Sequence, residues 1–418
     1  MNQPDPIPPL SGDALLQRFQ ALDAFLCAHQ ALWKPRPFSH HVLPWEQQHA
    51  ELANWLRARS LEQAEASHNQ PATLHDAPAP FPSLAAQARA LSEVGELPQR
   101  AGKDLPDHFS VDVPGRKWQQ IRAFADSLQF ARAPHHWLDW CAGKGHLGRV
   151  LAQDGQALTC LEHDRALVDS GRQLSQRLRI PARHIEQDVL GAGAAEQLSP
   201  EHSPVALHAC GDLHVQLMRL ASTSGCAHLA IAPCCYNRTR ASSYQPLSAA
   251  AGSTRLELSL EDLALPMSET VTAGNRVRRQ RDQSMAWRLA FDLLQRQLRG
   301  VDDYLPTPSL PPAWLKKDFA RYCRDLASLK ALPAPPASQD WTALQAAGWQ
   351  RLAEVRNLEL LRGLFRRPLE LWLVLDRALY LGERGFAVRL GQFCPAQLTP
   401  RNLLLLAERP QVAHTICG

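Results

Sequence analysis

The stretch Trp137-Leu138-Asp139-Trp140-Cys141-Ala142-Gly143-Lys144-Gly145-His146-Leu147-Gly148 constrains this chain more than any other. An apolar run ends in an acid, a glycine-rich turn follows, and an amphipathic run from His146 to Gln153 comes next. This is the strand, loop and helix entry of a Rossmann-type nucleotide site, with G-x-G-x-x-G at Gly143, Gly145 and Gly148. Glycine at 143 and 145 removes the Cβ atoms that would block a ligand from the backbone. Glycine at 148 lets the helix lie close to the strand.

Asp139 separates the readings of that loop. A carboxylate at the strand end repels a pyrophosphate and attracts a sulfonium or an amino group. S-adenosylmethionine (SAM) carries both cations. The competing readings are a turn cluster with a helix-capping Asp139, and an NAD-type site. A length of 418 residues allows two or three domains and a large core. No run approaches the ~18 apolar residues of a membrane span. The opening Met1-Asn2-Gln3-Pro4-Asp5 lacks the basic and apolar regions of a signal peptide, so a cytoplasmic protein is expected. Ten irregularly spaced cysteines read as reduced thiols. A net charge of +4 is mild, so the placement of charge matters more than its sum.

Four segments are expected. Residues 1–110 read as a helical accessory region, with apolar steps at Leu15, Phe19, Leu22, Phe25 and Leu32, then at Trp45, Leu52, Trp55 and Leu61. Residues 111–238 read as the nucleotide-binding core. Pro114-Gly115 turns the chain into a helix whose first turn carries Arg116 and Lys117, placed to meet a ligand carboxylate or a phosphate. After the glycine loop, Ala157–Glu162 is a strand ending in an acid. Glu162 follows Asp139 by 23 positions, near the ~20-residue spacing at which a second-strand acid holds ribose hydroxyls. Asp164 is the alternative, better placed to cap the helix from Arg165 to Arg179. A third strand, Ile185–Leu190, presents Asp188 to an adenine amino group.

Strands at Val205–Asp212 and His228–Arg238 follow, and their ends, His208-Ala209-Cys210-Gly211-Asp212 and Pro233-Cys234-Cys235-Tyr236, face the bound ligand. His208, Cys210, Cys234 and Cys235 admit zinc or a catalytic thiolate. Adjacent cysteines and the absence of C-x-x-C favour small residues that shape the pocket, with no metal. Residues 239–352 break the alternation and read as a helical insertion with proline-rich linkers. Its basic run from Gly274, with Arg276, Arg278, Arg279 and Arg281, is either a phosphate-binding face or a solvated one. Residues 353–418 return to the sheet: a helical stretch broken at Pro368, then strands at Phe386–Phe393 and Leu403–Glu408 paired antiparallel. Five strands alternating with helices and a closing antiparallel hairpin give an α/β fold, the Rossmann-like class I methyltransferase sheet.

The set Asp139-x-Cys141-x-Gly143-x-Gly145-x-x-Gly148, His208-Ala209-Cys210-Gly211-Asp212, Pro233-Cys234-Cys235-Tyr236 and Thr399-Pro400-Arg401-Asn402 resembles the SAM-dependent methyltransferases that include methyltransferase-like protein 25. Arg116-Lys117 resembles the basic pair before that family's first strand. The tRNA ribose methyltransferases with a Cys-Cys-His-His motif are more distant kin, and here Asn237 and Arg238 stand where a His pair would be. The resemblance runs from about Val111 to the C-terminus and implies a fold and a donor. On the combined reading, Lys117, Asp139, Cys141, Gly143, Gly145, Gly148, Glu162, His163, Asp188, Val189 and His208 hold SAM. His208, Asp212, Tyr236 and Asn237 orient or deprotonate the acceptor. RNA, held by the arginines at 276–281, is one acceptor class. A non-catalytic nucleoside- or RNA-binding module is the alternative.

Overall fold

A computed structural model describes residues 7–100, 102, 105–268 and 275–410. Met1–Asp5 and Gly274 lie outside them. The chain divides into two compact units, one of residues 1–27, 91–267 and 369–418, the other of residues 28–90 and 268–368. The expected first segment, 1–110, is therefore shared between them.

Among the described residues, the first unit is built on eight strands: β1 (Leu10–Ser11), β2 (His136–Trp140), β3 (Ala157–Glu162), β4 (Ala182–Glu186), β5 (His202–Cys210), β6 (His228–Cys234), β7 (Ala387–Gln392) and β8 (Leu403–Glu408). They form one sheet in the order β1-β7-β8-β6-β5-β2-β3-β4. β2 through β6 pair in parallel, whereas β8 runs antiparallel to both β6 and β7. The chain leaves β2 toward β3 and β4, then returns to β5 on its other side. The topological switch point, where ligands bind in open α/β sheets, is thus between β2 and β5. Class I methyltransferase topology has this arrangement, with the closing hairpin inserted beside the fifth parallel strand.

The central strands are apolar because both faces are covered. Trp137, Leu158, Val205, Ala230, Leu404 and Leu406 share a core with Ile121 and Phe124 of the Gly115–Ser127 helix. The outer strands depart from expectation. β4 lies at residues 182–186, not 185–190, and only His184 of it is buried. An edge strand that is half-solvated has no apolar run to betray it. β1, two residues long, closes the opposite edge on β7. Pro368 does not break the C-terminal helix. The break is the turn at Leu364 and Phe365, and Pro368 sits in the first turn of the Arg366–Glu383 helix. There the missing N–H removes no intrahelical bond.

The second unit is helical. Trp341–Gly363 packs against Asn275–Arg299, Ala50–Arg57 and Leu61–Ser67. Trp287, Phe291, Phe319 and Tyr322 make one apolar cluster in it. Buried Asn357 ties it together by donating Nδ2 to the carbonyls of Arg59 and Ser60 at 2.9 and 3.1 Å.

Candidate functional site

Because β2 to β6 are parallel, their carboxyl ends share one edge, and the motif residues gather there. The backbone is strained at that edge. Cys141, His208 and Cys235 have φ of 57°, 71° and 47°, each at the end of a central strand. Left-handed non-glycine residues cost energy and concentrate at functional sites.

The glycine loop begins at Cys141. Gly143 has φ 56° and a Cβ there would meet nothing within 4 Å, so this glycine opens the loop to a ligand. Gly145 does not. A Cβ on it would lie 2.9 Å from His184 Cε1 and 3.1 Å from Cys160 Sγ, so packing beneath the loop requires that glycine. Gly148 lies against β3, where a Cβ would come within 2.6 Å of Leu158 Cδ1.

Asp139 differs most from expectation. It is 3% exposed and lies under the loop, where Oδ2 accepts from Gly148 N at 2.9 Å. Its carboxylate thus takes an amide of the first turn of the His146–Leu151 helix, whose N-cap is Gly145. Buried Arg149 lies beside this loop, donating to Lys144 O at 2.6 Å and to His146 Nδ1 at 3.1 Å. Arg149 was not legible from the glycine motif, which treats its position as variable.

Burial pushes the Asp139 carboxyl up to about 7, against the lowering effects of the Gly148 amide and of Arg149. The folded protein therefore holds this proton more tightly than the unfolded chain does. The associated stability is complete below pH ~4 and is lost as pH rises toward ~7. Asp139→Asn keeps an acceptor for Gly148 and removes the titration. The variant is expected to gain about 4 kcal/mol relative to the parent between pH 4 and pH 8 in urea unfolding. Parallel stability curves for the two proteins would contradict this. The comparison must be a difference, because His146, His184 and His202, which burial lowers to about 4, tilt both curves the other way.

Glu162 ends β3 beside Gly143. Its Oε2 accepts from Gly143 N at 2.8 Å and its Oε1 from Asp164 N at 3.0 Å. A carboxylate has about four lone-pair sites, so about two remain for a ligand. Asp164 caps the Arg165–Arg177 helix through the amides of Ala166 and Leu167. Asp188 lies two residues beyond β4, exposed, with Oδ1 turned to Leu190 N. Val189 is buried next to it and His163 is exposed. Lys117 is exposed, and its charge reaches Asp139, His146 and His208. The Cys141 thiol is pushed up to about 12 by burial and by Glu162, so it stays protonated.

On the β5 side, buried Gln120 donates Nε2 to Leu398 O at 3.1 Å, which leaves its Oε1 to accept from His208 Nε2 at 3.0 Å. This fixes a neutral His208 as the Nε2–H tautomer with a lone pair on Nδ1. The surrounding protein and the Lys117 charge lower the His208 pKa, so the ring is neutral at physiological pH. Gln120 had no signal in the sequence, since nothing there ties it to a residue 88 positions away.

Of the remaining candidates, Asp212 and Tyr236 line one cavity. Asp212 accepts from Arg240 N at 2.8 Å and latches the loop after β6. Gly211 is obligatory, because a Cβ there would lie 1.8 Å from Arg238 O. Tyr236 is buried, with its hydroxyl toward Glu370 and Pro233 O, both at 3.5 Å. Burial and Glu370 raise its pKa well above the usual phenol value. It braces the fold and offers no base to an acceptor. Asn237 is half-exposed, with its amide tied to no described residue. Gly211, Asp212, Arg240 and Arg377 line a cavity of about 290 Å³ next to this edge.

Cys210, Cys234 and Cys235 come together, which the sequence reading did not expect. Cys210 Sγ and Cys234 Sγ are 3.4 Å apart. Hydrogen bonding from Cys234, aided by Arg238 and Arg401, lowers the Cys235 thiol, and Cys234 is raised correspondingly.

Residues 116–242, which span this edge, match the family model of a methyltransferase domain. The chain carries a methyltransferase domain. The domain implies S-adenosylmethionine as the methyl donor. A solved coclaurine N-methyltransferase, bound to N-methylheliamine and SAH, is similar over 83% of this chain and 90% of its own length. The identity is 14% and the TM-score 0.24. The residues of the methyltransferase domain fit the donor on their own chemistry. Gly143 leaves space over the loop, Glu162 keeps unfilled acceptor sites beside it, and Lys117 offers a cation for a carboxylate. No described helix is long and apolar enough to cross a membrane.

Proposed function

We propose that this chain is a SAM-dependent methyltransferase, a relative of methyltransferase-like protein 25, whose donor sits over Gly143 at the switch point. The observation that carries this is the pairing of an open, left-handed Gly143 with a half-satisfied Glu162 at the carboxyl edge of the sheet. Glu162 takes the ribose hydroxyls, Asp188 and Val189 flank the adenine, and Lys117 meets the donor carboxylate. When bound, SAM supplies a methyl group already activated by its sulfonium. The protein's contribution is then chiefly alignment of acceptor and methyl group. His208 Nδ1, held open by the Gln120 bond, receives the acceptor's proton. Calorimetry of the intact protein with SAM and with its demethylated product tests the reading. Binding of both supports it, and binding of neither would sink it.

A second observation favours RNA as the acceptor. Arg276, Arg278, Arg279 and Arg281 are all exposed in the opening turns of the Asn275–Arg299 helix. Phosphate contacts make log affinity fall with log salt by about 0.7 per single-strand contact. Binding to a single-stranded RNA oligonucleotide is expected to follow that slope. Arg276→Ala with Arg279→Ala is expected to reduce its magnitude by about 1.4. A flat salt dependence would remove RNA and leave a protein or small-molecule acceptor.

A further inference from the structure

We propose that Cys210, Cys234 and Cys235 form a three-thiolate site for one thiophilic divalent cation, zinc by preference, with its fourth position open. One ligand atom from each residue lies within 4.8 Å of the others. Sulfurs bound to one tetrahedral zinc at ~2.3 Å stand about 3.8 Å apart. The 3.4 Å separation of Cys210 and Cys234 is within a few tenths of an ångström of that.

The convergence is built by the backbone. Neighbours along a strand point to opposite faces, which is why an adjacent cysteine pair reads as a poor chelator. At Cys235 the chain leaves β6 with φ 47°, and the left-handed turn brings the second thiol back beside the first. Across the sheet, the register between β5 and β6 is irregular between Leu207 and Cys210, with His208 at φ 71°. Two strained segments from different strands thus aim three sulfurs at one point. Strain of this kind persists where the surroundings over-determine it, and it clusters at active sites and ligand clamps.

Burial and charge agree. Cys234 is buried, while Cys210 and Cys235 are half-buried, so the cluster is open on one side. Three thiolates around a divalent cation leave one negative charge, and Arg238 and Arg401 lie within electrostatic reach of Cys235. No fourth His, Cys or carboxylate joins the group among the described residues. Three protein ligands with an open fourth position, for water or a donor atom of a bound molecule, is the pattern of catalytic zinc. The other convergent group, His136, Glu201 and His202, lies at the opposite edge of the sheet. There, His136 Nε2 bonds Thr159 Oγ1 and His202 Nδ1 bonds Ser199, which leaves one nitrogen on each ring, and the backbone carries none of the left-handed strain seen at the thiols. The inference does not depend on the donor reading.

The test is cobalt(II) titration of the full chain, stripped of metal by a chelator under reductant. One equivalent is expected to produce the intense thiolate-to-cobalt charge-transfer band of a tetrahedral site, and zinc(II) to displace it. Cys210→Ser, Cys234→Ser and Cys235→Ser are each expected to weaken cobalt binding by about 100-fold or more. Should a serine variant fail to fold, iodoacetamide footprinting of the parent serves instead. Zinc(II) should protect these three thiols and leave the labelling of half-buried Cys27 and Cys141 unchanged. A missing band at one equivalent overturns the site. So does a band that survives the triple serine substitution, footprinting without selective protection, or a Cys210–Cys234 disulfide that excludes cobalt.

Discussion

Replacing Glu162 with alanine is expected to weaken SAM binding about 100-fold. Hydrogen bonds to a charged acceptor contribute roughly 1.5–3 kcal/mol each. Loss of two ribose contacts, partly replaced by water, leaves about 3 kcal/mol, or two orders of magnitude in Kd. The same carboxylate also holds the amides of Gly143 and Asp164, so alanine loosens the loop as well as removing an acceptor. Glu162→Gln separates the effects. It retains an oxygen for one amide and loses the charge, and about a 10-fold loss is expected. Calorimetry with SAM reads both, with thermal unfolding as the control. A Kd unchanged in Glu162→Ala would mean that the donor, if bound, is held elsewhere.

The second large effect is on stability. Asp376 is fully buried in the Arg366–Glu383 helix and accepts four hydrogen bonds from one loop. They come from Tyr244 Oη at 2.5 Å, Leu247 N at 2.9 Å, Ser248 N at 2.8 Å and Ser248 Oγ at 2.7 Å. Arg377, also buried, donates to His214 Nε2 at 2.7 Å and to Leu373 O at 2.7 Å, and stacks over Tyr236 at 5.1 Å. Asp376→Ala strands two backbone amides and two hydroxyls, and it frees the Tyr244 hydroxyl that Arg377 also bonds at 3.1 Å. Removing one member of such a network costs about 3–5 kcal/mol. In a domain of this size that lowers Tm by roughly 10 °C. Denaturant unfolding should show a lower midpoint with an unchanged slope. A loss below about 1 kcal/mol would show that water replaces the carboxylate readily.

The sheet was legible wherever burial on both faces forced an apolar run: β2, β3, β5, β6 and the β7–β8 hairpin. It was illegible where burial was partial. β4 carries only His184 inward, and β1 is two residues long. At the site, local chemistry could be read and distant partners could not. Asp164 shows its capping role within three residues of its own position. Tyr236 looked reactive because Glu370, which occupies its hydroxyl, is 134 positions away. For Asp139, strand alternation does not reveal which helix amide lies over its carboxylate. The cysteine cluster was hidden by one dihedral, since no composition rule announces a left-handed cysteine.

The order of strands has a consequence for biosynthesis. β6, buried along its whole length, is covered on one side by β8, which is made some 170 residues later. Until that segment leaves the ribosome, the nascent sheet presents an apolar, unpaired rim able to capture other chains. Contacts this remote along the chain also form slowly. Productive folding should therefore depend on holdase chaperones during translation, and any ribosome stall before Leu403 should send the product toward aggregation.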